Sequence, residues 1–151
     1  MKKTNKGFSM VELIIVIAIM AILAGALAPA LIKYINKSRL STDIQTGQTI
    51  ATAIQTALSN EAAYDVAPTY TTYTDYSTIA GLTDAFGQEV SGAMGSTNPS
   101  GKAKKDALGS SLDQKFYVIL NPTSNVIQVH SGSTDGNHQV YPSVSSAMES
   151  Q

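Results

Sequence analysis

The sequence predicts an α+β fold: one long N-terminal α-helix packed on a small antiparallel β-sheet. Three observations carry that expectation. Leu13 to Ile32 is an unbroken uncharged run of 20 residues, nearly all apolar. Helical periodicity continues past it, with no breaker near residue 35. Near the other end, two β-rich runs flank a turn-forming segment.

The bulk composition bounds the rest. A chain of 151 residues accommodates one modest domain besides an N-terminal segment. The net charge of −1 gives no bulk reason to expect nucleic acid or an anionic surface as partner. Charged residues make up only 14% of the chain, so its polar surface is weakly charged and suited to packing against copies of itself. The absence of cysteine excludes thiol catalysis, Cys-based zinc sites and disulfides.

The apolar run is about 30 Å long as a helix, enough to match a bilayer core. Lys2, Lys3 and Lys6 precede it, and Glu12 stands at its head. An ordinary signal peptide would use Ala26-Leu27-Ala28 for cleavage, but Glu12 interrupts the junction and Pro29 would follow the cut. A plain anchor has balanced flanks, since Lys33, Lys37 and Arg39 match the leader lysines, and it has no use for an acid. A third reading explains the acid. Removal of residues 1–7 after Gly7 gives Phe8 a free α-amino group four residues before Glu12. Amine and carboxylate then neutralise each other, within a chain or between neighbours, and an unpaired partner in an apolar bundle is penalised.

Gly7-Phe8-Ser9-Met10-Val11-Glu12 followed by the apolar run resembles the prepilin signal of type IV pilins and their relatives. The resemblance covers roughly residues 1–45, with Ser9-Met10 where Thr-Leu is commoner. It implies cleavage after Gly7 by a membrane prepilin peptidase and N-methylation of Phe8. It makes Glu12 the acid that contacts a neighbour's N-terminus. The implied domains are a cleaved basic leader (1–7), a transmembrane and filament-core helix (8–33), and the amphipathic half of the helix with an exposed head (34–151). The implied partners are further copies in a helical filament, the peptidase, a membrane assembly platform and minor pilins. The chain would sit in the cytoplasmic membrane as a single-pass protein and then move to a surface filament serving adhesion, twitching motility or DNA uptake. A pseudopilin of a type II secretion or competence machine shares the same helix. A secreted surface-binding domain with a signal peptide is the alternative of another class.

Gly25 and Pro29 lie four residues apart in the run, and Pro29 has no N–H to offer the Gly25 carbonyl. A kink or locally melted segment is expected there. Leu40, Ile44, Gly47, Ala51, Ile54 and Leu58 then recur at helical spacing, so the helix should end near Asn60 and bury this stripe against a sheet.

Between Glu61 and Ser111 the pattern is poor. One short helix is expected within Ile79 to Met94. Tyr64, Tyr70, Tyr73 and Tyr76 serve either a contact surface or local packing. Gly95 to Gly109, with Lys102, Lys104 and Lys105, reads as a solvated loop. Lys115 to Leu120 and Val126 to His130 read as paired strands, and Gln139-Val140-Tyr141 as a third, edge strand. The tail from Ser143 reads as frayed. His130 and His138 flank the Asp135-Gly136 turn, but two histidines and one acid do not amount to a metal set. No phosphate-binding loop or nucleophile triad has supporting context, so no enzyme, metal or cofactor is expected.

Overall fold

A computed structural model describes residues 7–149, so Lys2, Lys3 and Lys6 of the expected leader lie outside the described residues. The chain divides into two compact units, the first ending at Ile35 and the second beginning at Asn36. Helix α1 (Met10–Leu58) contributes its first part to one unit and the remainder to the other.

In the first unit every described residue is exposed. Leu13, Ile14, Ile17, Ile22, Leu27, Leu31 and Ile32 are all more than half exposed, which an aqueous surface does not sustain. This stretch is long and apolar enough to cross a membrane. The helical assignment continues through Gly25 and Pro29.

The second unit is α+β. After α1 come α2 (Glu61–Tyr64), β1 (Tyr70–Asp75), α3 (Tyr76–Ala80), α4 (Ala85–Met94), β2 (Phe116–Asn121), β3 (Val126–Ser131) and β4 (Gln139–Tyr141). The strands form one antiparallel sheet in the order β1-β2-β3-β4. The pleat sorts its faces. Phe116, Val118 and Leu120 on β2, and Ile127 and Val129 on β3, are buried together with Val140 of β4. Leu40, Ile50, Ala51, Ile54 and Ala57 of α1 share that core. The contact is close at Gly47, where a Cβ would lie 2.2 Å from Val140 Cγ2. Gly47 is therefore a packing glycine, needed because helix backbone and strand side chain nearly touch.

Several expectations change. The sheet has four strands rather than three, because Tyr70–Asp75 pairs with β2 along its free edge. Its Tyr and Thr residues have β-forming side chains without the apolar alternation that marks a half-buried strand. The helix ends at Leu58, near Asn60 as expected, and Asn60 itself caps α2 by accepting the Ala62 amide. One short helix becomes two, α3 capped by Asp75 and α4 by Asp84. The tail is pinned as far as Met148: Ala147 and Met148 are buried, and the Ser145 amide donates to the Gln139 carbonyl.

Candidate functional site

The site with most chemistry to explain is the start of α1. Gly7, Phe8 and Ser9 precede the helix without regular structure, and Phe8 is 89% exposed. The Gly7–Phe8 bond thus lies in an accessible, non-helical segment, the form in which a peptidase takes a chain. A Cβ built on Gly7 meets nothing within 4 Å. Among the described residues, no packing contact calls for glycine at that position.

Glu12 occupies the first turn of α1, where a carboxylate faces the positive end of the helix dipole. Its Oε2 accepts the Ser9 amide at 2.9 Å, while Ser9 Oγ accepts the Val11 amide at 3.3 Å. Ser9 and Glu12 form a capping box, which satisfies two amide donors that a helix start leaves unpaired. The spacing Ser-x-x-Glu is its signal in the sequence. Phe8 contributes only a peptide nitrogen here, because Gly7 is still attached. A charge pair with Glu12 requires the free amine that cleavage produces.

Gly25 and Pro29 share the exposed helical stretch, and a Cβ on Gly25 meets nothing within 4 Å. The carbonyl of Gly25 has no helical donor at Pro29.

The buried polar groups of the second unit hold the fold. Asp43, on the buried face of α1, accepts the amides of Lys102 at 2.6 Å and Ala103 at 2.9 Å. Burial pushes its carboxyl up, against the lowering effect of those two amides and the Lys102 charge. His138 Nδ1 faces Asp135 Oδ1 at 2.7 Å, and its Nε2 faces Asp106 Oδ2 at 3.1 Å. The ring serves both carboxylates as a donor only when both nitrogens carry protons. Burial raises Asp106, but the His138 contact and the Ser110 and Leu108 amides outweigh it and hold the carboxyl low. The two acids sit on opposite sides of one ring, so they do not converge on a point. No group of three metal-ligating side chains is found among the described residues. His130 is buried on the other face of β3, edge-on to Tyr73 with ring centroids 4.8 Å apart.

The tyrosines divide by position. Tyr76 is buried in the core, Tyr70 and Tyr73 are half-buried on the sheet, and Tyr64 is exposed.

Comparison with known proteins singles out the same N-terminal segment. Residues 2–28 match the family described as the prokaryotic N-terminal methylation motif. Neither the curated proteins nor the solved structures give a match to the chain. The motif implies processing by a prepilin peptidase and assembly into pilus-like filaments. The chain carries the type IV prepilin signal on an α+β, pilin-like architecture, and that signal supports a member of the type IV pilin or pseudopilin family.

Proposed function

We propose that this chain is a type IV pilin, a structural subunit that polymerises through its apolar helix into a surface filament. The observation that carries the reading is the apolar run from Leu13 to Ile32, every residue of which is exposed among the described residues. Such a surface needs a bilayer while the subunit waits, and the apolar helices of neighbours afterwards. Cleavage after Gly7 frees the Phe8 amine, which is then methylated. Glu12 exchanges its capping role for a pair with a neighbour's amine, which fixes axial register in a filament core. Weakened hydrogen bonding between Gly25 and Pro29 lets the helix bend or loosen as subunits pack.

The test uses Gly7→Leu in cells that carry the matching peptidase. The open space around Gly7 leaves the fold undisturbed, so a processing defect reports on the peptidase. The variant is expected to accumulate in the membrane as full-length precursor without surface filaments. Normal processing of Gly7→Leu would overturn the cleavage assignment. Long filaments sheared from cells carrying the wild-type chain separate a pilin from a pseudopilin, which forms a short fibre within the envelope.

A further inference from the structure

The second unit segregates its positive charge. Five of the six Lys and Arg residues between 36 and 149 are Lys37, Arg39, Lys102, Lys104 and Lys105. They are far apart in sequence, and the fold brings them together. Asn36 Nδ2 donates to the Lys105 carbonyl at 3.2 Å, and Asp43 binds the Lys102 and Ala103 amides. The loop is also braced on itself, since the Leu112 amide donates to the Lys104 carbonyl and the Asp106 amide to Ser110. Residues 36, 40 and 43 share the helix face that meets the loop. At about 100° per residue, Lys37 and Arg39 flank that face on either side.

All five basic residues are exposed, and none forms a salt bridge among the described residues. The nearby acids are engaged elsewhere. Asp43 is buried on backbone amides, Asp106 is buried on His138, and Asp113 accepts the Tyr117 hydroxyl and the Lys115 amide. The sixth cation, Lys115, pairs with Asp75 at 2.8 Å. A net positive surface is left, with few competing carboxylates.

The chain's connectivity selects the partner. Asn36 follows Ile32, the last residue of the apolar run, by four residues. Those four residues lie within helix α1, where they rise about 6 Å. That is comparable to the depth of a headgroup layer on one side of a bilayer. A duplex nucleic acid has no such tether, and no aromatic residue lies between Lys102 and Lys105 to stack on bases.

We propose that Lys37, Arg39 and the Lys102–Lys105 loop form a basic collar that binds the phosphates of anionic phospholipid headgroups while the subunit is inserted in the membrane. The collar holds the second unit against the bilayer surface, and its release accompanies extraction into a filament. The proposal rests on the reading of residues 13–32 as a membrane span.

The test places the full chain in lipid nanodiscs of pure phosphatidylcholine or with about a third phosphatidylglycerol, and reads each lysine's acylation rate by mass spectrometry. Failure of the chain to enter either disc would overturn the span itself. With the chain inserted, Lys37, Lys102, Lys104 and Lys105 are expected to react at least about fivefold more slowly in the anionic discs. Lys115 is expected to stay within about twofold, and about 0.5 M salt to abolish the difference. In K102Q/K104Q/K105Q the protection of Lys37 is expected to weaken while Lys115 stays unchanged. Equal rates at the collar and at Lys115 in both discs would overturn the proposal. So would stronger protection by duplex DNA added to phosphatidylcholine discs than by anionic lipid, which would give the surface to nucleic acid.

Discussion

Gly47→Ala sets two well-defined effects against each other. Glycine inside a helix costs about 1 kcal/mol relative to alanine, so on propensity alone the substitution should stabilise the protein. The structure argues the reverse. The new Cβ would lie 2.2 Å from Val140 Cγ2, 3.3 Å from Val140 Cβ and 3.5 Å from Val129 Cγ1. Valine is stiff at χ1, and a rotamer change does not move its Cβ away. Overpacking of this kind costs about 1–3 kcal/mol, which leaves a net loss of about 1 kcal/mol. With an unfolding entropy of about 2.1 cal/mol/K per residue over the second unit, 1 kcal/mol is about 4 °C in Tm. Calorimetry of the detergent-solubilised chain should therefore show a Tm about 4 °C lower for Gly47→Ala. Val140→Ala should cost less in the Gly47→Ala background than in the wild type, with a coupling of about 1 kcal/mol or more. An unchanged or raised Tm, or strictly additive effects, would refute the packing of α1 on β4.

Three further substitutions, at two positions, probe the buried and the capping acids. Glu12→Gln keeps an acceptor for the Ser9 amide but removes the charge, whereas Glu12→Ala removes both. Both variants are expected to insert in the membrane and lose filaments; wild-type filament yield from Glu12→Gln would show that capping, rather than charge pairing, is what Glu12 supplies. Burial raises the folded carboxyl of Asp43 above its ordinary value of 3.8, so its contribution is fully present below that value and is lost as pH rises through the higher folded pKa. Stability relative to Asp43→Asn, from denaturant unfolding at pH 4 and pH 7, should fall as pH rises; a difference independent of pH would contradict the burial argument.

The parts of the fold legible in the sequence are those where one physical requirement dominates. Membrane length fixed the apolar run. Burial on one face marked the stripe through Leu40, Gly47, Ala51 and Ile54, and strand alternation marked Phe116 to Leu120 with its partner. Where polar groups satisfy one another, the pattern is silent. Asp43 sits at a helical spacing that a hydrophobic template scores as an error, yet the Lys102 and Ala103 amides make its burial tolerable. Asp106 and His138 are 32 positions apart in sequence, and only the folded chain joins them. Strand β1 lacks an apolar alternation to announce it, since Thr74 stands opposite the core residue Val118 and Thr71 and Thr72 are exposed. The pinned tail is not legible in the sequence, because Ala147 and Met148 stand in a Ser-rich stretch with no apolar pattern, although both are buried.

At the candidate site, the motif points to Gly7, Phe8 and Glu12, and the Ser9-x-x-Glu12 spacing additionally signals the capping box. The capping seen at Glu12 and the proposed charge pair are compatible because they belong to different covalent states. In the uncleaved chain Glu12 accepts the Ser9 amide; on the proposed reading a cationic terminus would then compete for the same carboxylate, and a charge-assisted bond is the stronger of the two.

The central claim is that this polypeptide loses its basic head to create a cationic terminus and then assembles through the helix behind it. Intact-mass measurement and terminal sequencing of protein sheared from the cell surface test it most directly. The account predicts a chain that begins at Phe8, carries one extra methyl group on its amine, and is recovered as filaments. A filament subunit that still begins at Met1, or a secreted chain that begins near Pro29, would contradict it.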